Sequence, residues 1–270
     1  MAVSPNLKRL VAANAPLWAG EAEVVRSYWT SPKRTRATDK LWLKRQCWKE
    51  FAGTADLKGD TVALLSGLAA IIKQQLPSLD VSVDRHDLRD EVETAFVEYT
   101  HYCHFADVYD TLLDPGEPKL NANKLETWPE EDRLASRRRE VRRTIGKIGT
   151  RASSFTEGGY CTMYSEGAKL KGRPGLDGRI GAACQKVYDD EFGHMMRGVI
   201  GIDEEGLSES EWEQMAQLTT EQLRMRILMR NAQFSHPLSD ERVSEILAGK
   251  IEPIAFDFAR AETYLAHAAE

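Results

Sequence analysis

Two short spacings in this chain combine the residue types that bind transition metals. Glu98-Tyr99-Thr100-His101 and Glu191-Phe192-Gly193-His194 each place a carboxylate three residues before an imidazole. On a helix, residues three apart share a face, so each segment presents an oxygen and a nitrogen donor to the same side. One such pair arises by chance in many helices. Two, each inside an otherwise apolar stripe, form a sharper signal. Burying Glu and His without partners is costly, and metal coordination offsets that cost. Carboxylates and neutral imidazoles suit Fe(II) or Mn(II), and bridging carboxylates can hold two such ions at close range.

The helices that carry these pairs need neighbours. If two antiparallel helices meet at mid-length around a metal pair, a partner carboxylate precedes each Glu-x-x-His by about 26–38 residues, two half-helices and a short connection. Upstream of Glu191, Glu157 lies 34 residues away and Glu166 lies 25 away. Glu157 is the better candidate, because Gly158 and Gly159 admit a close backbone approach or a helix bulge. Upstream of Glu98 the window spans 60–72 and contains only Asp60, whose plainer role is to cap a helix beginning at Thr61. Asp60 is therefore the sixth ligand of this reading. Glu50, 48 residues before Glu98, replaces it only if the topology differs from a simple hairpin.

Helical periodicity recurs along most of the chain. The predicted helices cover about 38–52, 60–76, 84–113, 130–145, 180–199, 208–231, 239–248 and 253–268. The second is apolar nearly all round, which predicts a central position. Residues 114–129, with three prolines, form a loop between helix pairs, and the helix after 130 runs irregularly through Gly146 and Gly149. Only Val81-Ser82-Val83 alternates like a strand. The fold class is all-α, a single domain over 1–270 with a metal-binding core at about 60–200 and a helical extension at about 203–270. Trp18, Trp29, Trp42 and Trp48 suggest that the N-terminal segment packs over the bundle.

The chain has 270 residues and a net charge of −6, so nucleic acid is not a default partner. The basic run Arg137-Arg138-Arg139, with Arg142 and Arg143, is interleaved with Glu130, Glu131, Asp132 and Glu140. Pairing on a solvated face is its cheaper account, and an anionic ligand is the other. The stretch 62–72 is broken by Ser66 and Gly67 and falls far short of the ~20 apolar residues of a membrane span. The N-terminus lacks an export signal, which predicts a cytoplasmic protein. Four cysteines without a C-x-x-C pair read as reduced thiols, with Cys161 and Cys184 as apolar filler. Tyr102 and Tyr160 near the ligands read as core tyrosines. His104 reads as packing at the edge of the cluster, with direct ligation as the alternative, and Glu166 as a helix-surface acid.

Two Glu-x-x-His pairs, with one carboxylate from each of two further helices, form the ligand set of the ferritin-like di-iron and di-manganese carboxylate proteins, which this chain resembles over about 60–199. The segment Asp190-Glu191-Phe192-Gly193-His194-Met195 is similar to the D-E-x-x-H-M element of the oxygenase and ribonucleotide-reductase branch. The resemblance implies a four-helix bundle with additional N- and C-terminal helices. Its metal ligands would be Glu98, His101, Glu157, Glu191, His194 and Asp60. Asp190 would accept a hydrogen bond from a ligand histidine, His101, and fix its tautomer. Phe105 stands seven residues after Glu98, where the reductase subunits carry a radical tyrosine, so that activity is not expected.

The implied function is a non-haem enzyme with two Fe ions, or Mn or mixed Fe/Mn, that activates dioxygen to oxidise a small organic substrate. Hydroxylation, desaturation, N-oxygenation and oxidative cleavage all remain open, because the pocket chooses among them. The expected partners are the small-molecule substrate, an electron-donor protein and a second copy of the chain, with neither nucleic acid nor membrane. An iron-handling ferroxidase and a non-catalytic helical interaction module are the alternatives.

Overall fold

The computed structural model describes residues 3–57 and 60–267, except for the side chains at 54–57, 60–63, 194, 266 and 267. Helices dominate it. The first, α1 (Pro5–Thr30), starts where Ser4 accepts a hydrogen bond from the Leu7 N–H and Pro5 pre-sets the first turn. It buries a continuous face that includes Leu7, Leu10, Val11, Leu17, Trp18 and Val25. The sequence reading left this region as a covering segment. Instead it is a core helix packed along α9 (Glu209–Gln233), and Trp18 is fully buried.

Helix α2 (Arg36–Ala52) opens with a reciprocal Thr35/Thr38 cap. An antiparallel hairpin follows, β1 (Thr54–Leu57) with β2 (Asp60–Ala63), in which Leu57 pairs with Asp60. The β-branched Thr61-Val62 step thus joins a strand rather than the predicted helix start. Helix α3 begins only at Leu64 and runs to Gln75. Asp60 therefore caps no helix there. Nor is α3 central: of its residues only Gly67 and Leu68 are buried. It packs on the flank of α2 and α4 (Arg85–Asp110), where Phe96 and Tyr99 are also exposed. Apolar character all round marked this helix for the centre, but its neighbours cover one side only.

After α4, residues 111–128 cross to α5 (Pro129–Ile145), which ends at Gly146 with φ +66°. Helices α6 (Lys147–Phe155) and α7 (Thr162–Ala168) are separated by a 3-10 turn at Glu157–Gly159. Helix α8 (Gly175–Met196) carries the second Glu-x-x-His, and α10 (Asp240–Leu247) and α11 (Phe258–His267) finish the chain. The packing runs from α2 to α4, α4 to α8, α8 to α7 and α6, and onward through α1 and α9 to α5. One hydrophobic cluster draws on residues from Val3 to Leu265. Among the described residues, no helix is long and apolar enough to cross a membrane.

Candidate metal centre

Each segment of the site is placed by its own local chemistry. On α2, Leu43, Cys47 and Glu50 fall on one buried stripe, so the carboxylate is carried inward with its apolar neighbours. Glu98 and His101 face the same point from α4, and Glu191 arrives from α8. Glu157 sits in the turn between α6 and α7, where Gly158, Gly159, Tyr160 and Cys161 all have φ between +55° and +68°. Four successive left-handed residues break the helix outright, so of the two expectations for these glycines the close backbone approach holds and the bulge does not. Glycine is required at 159, because a Cβ there would collide with Glu21 and Arg226, and at 158 it would press on Glu191 Oε2 at 3.3 Å.

His101 is fully buried at the centre of the cluster. Its Nε2 lies 3.2 Å from Asp190 Oδ2, the pairing expected from the sequence. With that nitrogen donating, Nδ1 holds the lone pair. Nδ1 is buried and has no hydrogen-bond partner, yet Glu191 Oε1 lies 3.6 Å away, Glu50 Oε2 3.9 Å and Glu98 Oε2 4.0 Å. These separations are too long for hydrogen bonds. They do match donors sharing one ion, since ligand atoms 2.0–2.2 Å from a metal stand about 3–4 Å from one another. Glu50, Glu98 and His101 together offer three such donor atoms within 4.8 Å.

The acids of the cluster act on one another. Burial, then the neighbouring Glu191, Glu50 and Glu157, pushes the Glu98 carboxyl well above the ordinary carboxylate range. Burial also raises Glu50, with His101 opposing and Glu191 adding to the rise. Glu50 is held in place: its Oε1 accepts from Gln46 Nε2 and from the Tyr164 hydroxyl at 2.9 Å, leaving Oε2 toward His101.

The fold thus brings Glu98, His101, Glu191 and Asp190 together, with Glu157 on the same cavity. The side chains of Asp60 and His194 lie outside the described residues. Glu50 is the residue that spacing discounted. The hairpin and α3 intervene between α2 and α4, so a true neighbour lies farther back in sequence than a simple hairpin allows, and the core expected at 60–200 reaches back into α2. An acid on the apolar stripe of α2 was the signal available. Glu166 is not a surface acid either. It is buried and pairs with Arg26 and Lys169, each at 2.8 Å. Among the described residues His104 is not part of the cluster. Cys161 and Cys184 are buried, and burial raises both thiols, as filler cysteines should be.

A cavity of about 310 Å³ opens beside the cluster, touching Glu50, Glu98, Glu157, Tyr164 and Glu191. Its opposite wall is basic. Arg137 makes the predicted same-helix pair with Glu140 and a further one with Glu221 of α9, but Arg138, Arg139 and Arg142 line the cavity. Burial, with Arg226 nearby, pulls the Arg138 guanidinium down to about 10. No family model, no curated protein and no solved structure matches this chain.

Proposed function

We propose that this chain is a ferritin-like non-haem enzyme that holds two Fe ions, or Mn or a mixed pair, and activates dioxygen to oxidise a small organic substrate. Glu50, Glu98, His101, Glu157, Glu191 and His194 are the proposed ligands, with Glu50 taking the place first given to Asp60. The observation that carries this reading is the buried, unbonded Nδ1 of His101 facing oxygens of three carboxylates at 3.6–4.0 Å. A neutral lone pair among buried acids is an arrangement that a cation reconciles.

Bound there, such ions supply the open coordination positions and electrons that dioxygen chemistry requires. The protein's own part is positional. Asp190 holds the His101 ring in the tautomer that directs Nδ1 inward, and Tyr164 with Gln46 fixes which oxygen of Glu50 faces the cluster. Phe105, fully buried against Trp42 and Tyr164, keeps water from that side. The adjoining cavity supports substrate oxidation over iron storage, since storage needs no enclosed space for an organic molecule.

Anaerobic titration with Fe(II) tests the reading. About two irons per chain should bind, as the ligand set of such bundles requires, and admission of oxygen should produce a transient visible absorption band. Glu50→Ala should abolish binding, whereas Asp60→Ala should retain it. Absence of stoichiometric iron or manganese would sink the proposal.

A further inference from the structure

The basic wall of the cavity is only partly paired within the protein. Six cationic side chains line the space: Lys49, Arg138, Arg139, Arg142, Arg197 and Arg226. Two are accounted for, because Lys49 pairs with Glu131 at 3.0 Å and Arg226 with Glu21 at 2.8 Å. Of the other acids on the lining, Glu50, Glu98 and Glu191 face His101, and Glu157 stands beside them on the same cavity. Among the described residues, Arg138, Arg142 and Arg197 make no ion pair with any carboxylate.

Arg138 and Arg142 lie one helical turn apart on α5, so they share a face. Each has a buried Nε with no hydrogen-bond partner. Arg138 spends only Nη2 on the protein, donating to the Thr156 carbonyl at 2.8 Å and the Thr156 hydroxyl at 3.0 Å. Thr156 directly precedes Glu157, so this contact fastens the basic wall to a proposed ligand. Arg142 makes no side-chain hydrogen bond among the described residues. A guanidinium nitrogen kept off water without an acceptor is costly, and carboxylate or phosphate oxygens are the ligands that the fork geometry of arginine fits.

We propose that Arg138 and Arg142 form the anchor for an anionic substrate, a small organic molecule whose carboxylate or phosphate head binds them while its remainder reaches the His101 cluster. This deepens the proposed function, on which the substrate role rests. The anion site itself needs only the basic wall. The cavity of about 310 Å³ limits the substrate to a small molecule.

Calorimetric titration of the full chain, metal-free and anaerobically loaded with Fe(II), provides the test. The probes are benzoate, phenyl phosphate and the neutral control benzyl alcohol. One or both anions should bind, and the control should bind at least tenfold more weakly. Benzoate alone or phenyl phosphate alone identifies the head group. Arg142→Met removes a side chain with no structural bond and should weaken anion binding at least tenfold, at unchanged iron content. Arg138→Lys keeps the charge but loses the fork and should weaken it by less. Equal binding of the neutral control, or unchanged anion binding in Arg142→Met with and without iron, overturns the proposal. Failure to bind iron with intact, arginine-dependent anion binding would sink the metal reading alone.

Discussion

Two buried polar clusters lie at opposite ends of one hydrogen-bond network, and they solve the cost of burial in opposite ways. At one end, Glu21 of α1 sits between Arg226 and Arg230 of α9, at 2.8 and 2.9 Å. Burial opposes ionisation of Glu21, but the two guanidinium groups outweigh it and hold the carboxyl below its ordinary value. At the other end, Glu50, Glu98 and Glu191 surround a histidine, and the carboxyls of Glu50 and Glu98 are raised. The chain between them is continuous: Arg230 bonds Gln46 and Gln233, Gln233 bonds Gln46, and Gln46 with Tyr164 bonds Glu50. One cluster contains its own counter-charge, and the other gathers acids around a single histidine, which is where the metal ions are proposed. The balanced end serves as the rigid mount of the unbalanced end.

The comparison breaks most sharply at the acids themselves. Glu98→Gln should reduce iron binding below detection by titration, yet leave the metal-free protein as stable as before or more so, because a raised carboxyl destabilises the folded chain when ionised. Glu21→Gln should act with the opposite sign. It leaves two buried guanidinium groups short of a counter-ion and should cost about 3–5 kcal/mol in urea unfolding. If both substitutions destabilise the metal-free protein equally, the contrast is wrong. The pH dependence follows from the same signs. Glu21 titrates lower in the folded than in the unfolded chain, so its stabilisation is complete above about pH 4.3 and fades as pH falls through the folded value. The acid loss of stability, followed by urea unfolding across pH, should be shallower in Glu21→Gln than in the unaltered chain.

Smaller effects sharpen the contrast. Asp190→Asn should weaken iron affinity about 10–100-fold, since it frees the ring orientation of His101 without removing a ligand. Tyr164→Phe deletes the bond donated to Glu50 and the one accepted from Gln46 and should cost about 1–3 kcal/mol of stability, with a change in the optical spectrum of the iron-loaded protein. Smallest of all, Arg142→Met should shift the unfolding midpoint by no more than about 0.5 kcal/mol equivalent, because among the described residues no hydrogen bond or ion pair of that side chain is lost.

Legibility in the sequence followed the range of the interaction. Helices α2, α4, α5 and α8 through α11 are readable from periodicity and caps, and the Glu98/His101 and Asp190/Glu191 segments from spacing along a single helix. Helix α1 was missed although its Ser4-Pro5 start and its apolar spacing are helical signals. The hairpin was missed because each strand is only four residues long. The Arg137–Arg143 run shows the limit most clearly. Charge pattern alone predicts a solvated face, and Arg137 obeys it, but Arg138, the very next residue, and Arg142, one turn further on, line the cavity.

By itself the sequence determined what lies on each helical face, because a residue and its third or fourth neighbour are held together by the backbone at 3.6 residues per turn. That was enough for a chain dominated by helices and for Glu98 and His101 on one face of α4. Only the tertiary structure decided that Glu50 completes the cluster, that α1 and α9 share the core with their buried Glu21, and that arginines close the far wall of the cavity. Those choices depend on which helix packs beside which. Helix packing is settled by complementary surfaces far apart in the chain, and no local spacing encodes it.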